Sequence, residues 1–388
     1  LPLFSNFTIG KPQIFAGLLL LAFLIQCLWV AAGRKFSDLE YDYIATGLHT
    51  TPTQQFHAGS PFTGLVAAAP LRFTFVLKNI FPASWRTALA IPRPWIARLP
   101  FAIFGVWLGG ALWWVARRLF GDSGGYIALA LYCFSPALVM ISSNIGPEII
   151  LAWSSFGLIY TAIGVAHTVY AAPRKWVPRI LILGAAIGIC LSTSLWAFTV
   201  VLLAFAFMLY LTPGRRHAAI IVLSGASAIG LAILVFVNWL VGSTPAWAGI
   251  TPRFTGEWVH NLGFVFADAF QLPQDPWTTT AQQVILVILL VGSLTVYGSW
   301  NRARYFGNTA PLITSFAVVS LFALVPSVHI WEASLGLSFL FVFIGGVAAD
   351  LLETSHKRIL SFVMLAILAI RGVLGLSLLH GWIHQNPV

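Results

Sequence analysis

Long apolar runs alternate with short polar interruptions over almost the whole chain. Read with a window of about twenty residues, the length a helix needs to cross the hydrocarbon core of a bilayer, the runs fall at 12–32, 98–120, 124–143, 149–168, 177–191, 195–211, 217–241, 282–299, 309–325, 330–351 and 359–382. The pattern predicts an all-α polytopic membrane protein of about 11 transmembrane helices. The fifth and sixth runs are short and nearly continuous through Ser192, Thr193 and Ser194, so their boundary is the least marked.

Two interruptions are long, 33–97 and 242–281. The first mixes polar stretches such as 50–55 with an amphipathic one at 65–81, and prolines recur at Pro61, Pro70, Pro82, Pro92, Pro94 and Pro100. Short amphipathic helices lying along the membrane surface and broken by proline are expected there, not a folded domain. The second sets Trp247, Trp258 and Trp277 among polar residues, a composition suited to the lipid headgroup zone. There is no internal repeat, and no soluble domain is expected after the last run, so residues 1–388 read as one integral membrane domain.

Composition agrees with the pattern. Hydrophobic residues make up 59% of the chain, with 16 Trp and 30 Phe, and the mean hydropathy is +0.89, which leaves too little polar surface for a water-soluble fold. The net charge of +10 comes as short basic pairs between apolar runs, pointing to topology and contact with anionic lipid and away from nucleic acid. Cys27, Cys133 and Cys190 sit inside apolar runs without C-x-x-C spacing, as small buried hydrophobes.

The basic residues also orient the chain. Arg117 and Arg118, Arg174, Lys175 and Arg179, Arg215 and Arg216, Arg302 and Arg304, and Lys357 and Arg358 follow alternate runs, while the short loops at 144–148, 192–194 and 326–329 hold no Lys or Arg. The positive-inside rule then predicts a cytoplasmic N-terminus and an outward C-terminus, with a bacterial inner membrane the expected location. Of the eleven acids, eight lie outside on this topology: Asp38, Glu40, Asp42, Glu148, Glu257, Asp268, Asp275 and Glu332. Carboxylates contribute little to orientation, so their bias marks the outer side as the working face.

The densest acidic stretch follows the first run: Ser37-Asp38-Leu39-Glu40-Tyr41-Asp42-Tyr43-Ile44-Ala45, three carboxylates within five residues in a chain only 8% charged. Acids are expensive to keep near hydrocarbon, so this stretch is expected to face an aqueous or interfacial cavity. In a helix, Asp38 and Asp42 would share a face at i,i+4 while Glu40 points elsewhere. Two like charges so close disfavour double ionisation, which would suit one of them to act as a base. The plain alternative is a solvated loop whose acids pair with Arg34 and Lys35.

With "RLPFAIFGVWLGGALWWVARRLFG" and "ALALYCFSPALVMISSNIGPEIILAW" after the acidic stretch, the chain resembles the GT-C class of membrane glycosyltransferases. It is most similar to the branch of protein O-mannosyltransferases and aminoarabinose transferases of lipid A. The likeness is best over 36–168; beyond that it is a hydropathy pattern. The resemblance implies transfer of a sugar from a polyprenyl-phosphate donor to an acceptor on the outer face. It implies a catalytic carboxylate in the first outer loop, Asp38 with Glu40 as rival, and a second acid after the third span, Glu148. The chain departs from the family where Leu39 separates acids that relatives often keep adjacent, and where the lysine that many carry before a proline pair has no counterpart near Ser60-Pro61 or Ala69-Pro70.

Inverting transfer needs a base near the acceptor and cations for the departing phosphate. Around the acids, Asp42 and Tyr41 are candidates for binding substrate. Arg72, Lys78, Arg86, Arg93, Arg98 and Arg253 are cations on the outer side, of which Lys78, Arg98 and Arg253 are the leading candidates for the donor; headgroup contact is the alternative for each. Arg371 lies within the last apolar run, where a charge reaches a donor phosphate, pairs structurally or snorkels. For Glu148, Gly146-Pro147-Glu148 is also a good helix start. A divalent metal bridging acids and phosphate would be reasonable chemistry, yet His49, His57, His260 and His329 show no H-x-x-H or H-x-H spacing, and no metal ligands are assigned. A non-catalytic GT-C-like scaffold subunit of a larger membrane complex is the competing reading. A transporter would favour related halves, and a haem protein C-x-x-C-H or facing mid-span histidines; neither pattern is present.

Overall fold

A computed structural model describes residues 10–48, 60–80, 94–194, 197–241, 276–324, 335–354 and 356–385, with side chains described for all of these except 74–80, 94, 276, 321–324 and 385. Helices are the regular secondary structure of the described residues. In order they form α1 (Lys11–Ala32), α2 (Asp38–Leu48), α3 (Pro61–Ile80), α4 (Pro94–Cys133), α5 (Pro136–Ser142), α6 (Pro147–Thr168), α7 (Trp176–Thr193), α8 (Phe198–Leu211), α9 (Arg216–Val241), α10 (Pro276–Ser299), α11 (Phe306–Leu324), α12 (Leu335–Leu352) and α13 (Lys357–Gln385).

Each predicted apolar run has a helix over it, but the count of about eleven crossings is not confirmed. Among the described residues eight helices are long and apolar enough to cross a bilayer, and α8, at 14 residues, is not one of them. Conversely, α4 is 40 residues long, about twice what one crossing needs. It breaks at Gly121, whose φ of 76° and ψ of −173° belong to a region open almost only to glycine. There the helix doubles back: Tyr132 Oη donates to the Gly105 carbonyl at 2.6 Å, a contact impossible across 27 residues of straight helix. Phe134, Ser135 and Pro136 then end the second limb, and Gln26 of α1 caps the freed Cys133 carbonyl at 3.3 Å.

At the centre stands α12, in which every residue from Leu335 to Ala349 is buried. It is apolar all round, as a helix enclosed by others must be, and α4, α6, α10, α11 and α13 pack around it. Cys27, Cys133 and Cys190 are fully buried thiols. By contrast α9 and α13 keep broad apolar faces exposed, including Trp239 and Phe362. Outward-facing apolar side chains are what a bilayer solvates.

The first long interruption contains the two helices α2 and α3 among its described residues. Pro61 opens α3, and Pro70, expected to break it, lies inside it. The helices pack with backbones nearly touching at Gly47 and Gly64, where a Cβ on Gly47 would fall 1.9 Å from the Gly64 carbonyl oxygen. Of the second long interruption, 242–275 lies outside the described residues, and so do Arg86, Arg93, Arg253 and the four loop histidines.

Candidate active site

The acidic stretch becomes a helix with its own start signal. Ser37 and Glu40 form a capping box: the Glu40 amide donates to Ser37 Oγ at 3.3 Å, and the Ser37 amide donates to Glu40 Oε2 at 2.8 Å. S-x-x-E is legible in the chain, and it gives Glu40 a structural task before any chemical one. Asp38, in the first turn, is exposed, whereas Glu40 and Asp42 are buried.

The same carboxylate is gripped by Arg98 from the first turns of α4. Arg98 Nε donates to Glu40 Oε1 at 2.8 Å and Nη2 to Oε2 at 2.7 Å, a two-pronged ion pair in which neither side chain is more than 5% exposed. The remaining guanidinium protons reach the end of α1 and the turn after it. Nη1 donates to the carbonyls of Ala31 and Arg34, both at 2.8 Å, and Nη2 to that of Lys35 at 2.7 Å. Arg98 therefore spends all five of its N–H groups. Glu40 is equally committed, since its Oε1 also accepts from the Ile145 amide at 3.0 Å. Burial pushes its carboxyl up, but the hydrogen bonds and charge of Arg98, with the Ile145 and Ser37 amides, outweigh burial and hold it below the ordinary carboxylate value.

Through Ile145 the clamp reaches the loop that leads to Glu148. Arg34 makes a second tie, its Nη1 donating to Asn144 Oδ1 at 2.9 Å while its guanidinium lies 3.6 Å above the Trp382 ring of α13. Burial first, and then the Arg98 charge, lower Arg34 to about 10, with Glu40 acting the other way; it stays a cation at neutral pH. Glu148 sits where expected, in the first turn of α6 behind Gly146 and Pro147. Its carboxylate folds back over Gly146, so closely that a Cβ there would lie 2.0 Å from Oε2. Glu148 lies three residues beyond Ile145, whose amide donates to Glu40.

Glu40, Arg98 and the loop leading to Glu148 thus meet at one corner, where the end of α1 and the start of α4 converge with the starts of α2 and α6, and Asp38 lies exposed two residues before Glu40. Tyr41 is exposed on the outer face of α2, its ring edge-on to Phe36 at 5.3 Å. Asp42 faces inward. Arg72 of α3 donates to the Gly47 carbonyl at the far end of α2. Lys78 belongs to α3, but its side chain, like all of Arg253, lies outside the described residues.

Arg371 is not part of this corner. It is fully buried, with its guanidinium 5.4 Å from the centre of the Phe341 ring on α12. Eleven residues of α13 separate it from Trp382, which is about 16 Å of helix. Sequence reading named Arg34 only as a partner for the acids and missed its tie to Asn144, a contact between loops 110 residues apart. Among the described residues no three His, Cys, Asp or Glu side chains come close enough together to hold a metal ion. An apolar groove of about 870 Å³ runs between α1, the second limb of α4 and α13, bordered by Leu18, Tyr126, Ala130, Leu368 and Gly372.

Comparison with known proteins places this architecture. Residues 83–240 match the family described as dolichyl-phosphate-mannose-protein mannosyltransferase. No curated protein matches the chain by sequence. Among solved structures, ArnT from Cupriavidus metallidurans superposes in its apo state with a TM-score of 0.60 at 14% identity, over 96% of this chain and 76% of that one. The same protein bound to undecaprenyl phosphate gives 0.61 at 13% identity, over 95% and 76%. The oligosaccharyltransferase of Archaeoglobus fulgidus, tethered to an acceptor peptide, gives 0.55 at 12% identity; the match spans 95% of this chain and 55% of that longer one. The chain is therefore an all-helical membrane protein that shares its fold with ArnT and, through residues 83–240, is similar in sequence to the mannosyltransferase family.

Proposed function

We propose that this protein is an inverting glycosyltransferase that moves a sugar from a polyprenyl-phosphate donor to an acceptor on the outer face of a bacterial inner membrane, with Asp38 as its base. The observation that carries the reading is the division of labour between two acids two residues apart. Glu40 is buried with its lone pairs filled by Arg98, Ile145 and Ser37, while Asp38 projects from the same turn into the open. Glu40 and Arg98 are then positioning residues, and Asp38 is the carboxylate free to meet an acceptor.

In this reading Asp38 takes the proton of the acceptor hydroxyl as its oxygen attacks the anomeric carbon, and the bond from that carbon to the phosphate oxygen breaks with inversion. The leaving group departs as polyprenyl phosphate. Arg98 has no N–H left for it. Among the described residues Arg34 makes one side-chain hydrogen bond, to Asn144, which leaves N–H groups to spare, and Lys78 and Arg253 remain proposed donor-binding cations. Glu148, beside Glu40, is the second acid. The apolar groove along α1, α4 and α13 suits a prenyl tail, and ArnT's binding of undecaprenyl phosphate supports the donor class.

The deciding experiment supplies purified protein in nanodiscs with polyprenyl-phosphate sugars extracted from the source membrane and follows release of polyprenyl phosphate. Turnover by the wild type that disappears in Asp38→Asn, with unfolding temperature unchanged, supports the proposal. Absence of turnover together with a stoichiometric set of copurifying subunits favours the scaffold reading.

A further inference from the structure

The last turns of α13 carry His380 and His384, two histidines at i,i+4 in a chain with nine. Residues four apart share a helix face. Both side chains are exposed, and their ring centres are 4.3 Å apart at an interplanar angle of 83°. Among the described residues neither ring takes part in a hydrogen bond, so the nitrogens stay available as ligands.

That separation matches a shared ion. Two imidazoles bound through nitrogen at about 2.0–2.1 Å, at roughly a right angle across the metal, hold their ring centres about 4.5 Å apart. The face is also held in place before any ion arrives. Trp29 of α1 stacks on His380 at 6.0 Å and 18°, and Trp382, two residues on and so on the opposite side of the helix, lies beneath Arg34 at 3.6 Å. The cation is thereby turned away from the pair.

We propose that His380 and His384 form a binding site for one divalent transition-metal ion at the membrane end where α1 and α13 meet. The protein supplies two imidazole ligands; no third His, Cys, Asp or Glu stands close enough among the described residues, so the remaining positions are taken by water. A site of this kind is exchangeable. Imidazole ligation and the general order of divalent affinities make Cu²⁺ its tightest occupant, ahead of Ni²⁺ and Zn²⁺. The site shares no ligand with the acidic corner and does not depend on the glycosyltransferase reading.

The test uses the full chain, freed of any histidine tag and held in nanodiscs, titrated with Cu²⁺ and separately with Zn²⁺. Calorimetry reads stoichiometry, and electron paramagnetic resonance reads the nitrogens on Cu²⁺. We expect one equivalent with two coordinated nitrogens, lost in His380→Ala and in His384→Ala and kept in His217→Ala. The pair His384→Gln with Gln385→His preserves the number of histidines but moves one off the face; it too loses the site. Thermal unfolding without metal confirms that each variant is folded. Binding that survives either alanine substitution, or survives the relocated histidine, overturns the proposal.

Discussion

Glu40 shows how far a residue's role depends on what surrounds it. Removing its charge leaves Arg98 buried and unbalanced, a situation that destabilises proteins by about 3–5 kcal/mol. Glu40→Gln should therefore lower the unfolding temperature, whereas Asp38→Asn, at an exposed position, should leave it unchanged and remove only turnover. The same carboxylate makes stability depend on pH. Its native value lies below that of the unfolded chain, so its contribution is complete above the ordinary carboxylate pKa of about 4.3 and is lost as the pH falls through the lowered native value. Unfolding temperature measured from neutral pH down into that acid range should fall more steeply in the wild type than in Glu40→Gln. Glu148 offers a subtler handle. Because its carboxylate occupies the space beside Gly146, Gly146→Ala should displace the acid without removing it. If Glu148 works in the reaction, initial-rate measurements will show kcat falling in that variant.

Two glycines set the geometry of whole elements. At Gly121 the backbone, not the packing, is demanding: apart from its own neighbouring backbone nothing stands within 4 Å of where a Cβ would be, yet its conformation costs any other residue about 1–3 kcal/mol. Gly121→Ala should lower stability by that amount, read from denaturation in detergent, by straining the reversal of α4. At Gly47 the obstacle is the Gly64 backbone. Gly47→Ala must push α2 away from α3, and overpacking of this kind costs about 1–3 kcal/mol. Since α2 carries Asp38, transfer rate should fall along with stability. The helices themselves were legible as apolar runs, and the S-x-x-E start of α2 was legible too, though the run of acids distracts from it. The doubling of α4 was legible only as a polar gap around Asp122 and Ser123.

Across the whole molecule, the acidic corner and the Gly121 turn should face opposite sides of the bilayer, as the placement of basic residues implies. Cys27, Cys133 and Cys190 are fully buried, which leaves a quiet background for labelling. A membrane-impermeant maleimide should modify Asp38→Cys in intact spheroplasts and Ser123→Cys only after permeabilisation. The reverse pattern would invert the orientation and move the proposed chemistry to the cytoplasmic face.

Sequence alone determined the membrane class, the apolar runs and the neighbourhood of the acids, because each depends on hydrophobicity or charge read over a few consecutive residues. The resemblance to GT-C enzymes rested on the order of such local features, and the fold it implied matches solved structures only 12–14% identical to this chain. Only the tertiary structure separated Asp38 from Glu40, set Arg371 apart from the corner and brought Arg34 onto Asn144 and Trp382. Those distinctions depend on which distant groups fill a side chain's hydrogen-bonding capacity. Arg98 lies 58 positions from Glu40, and Ile145 lies 105; no local pattern records that they meet.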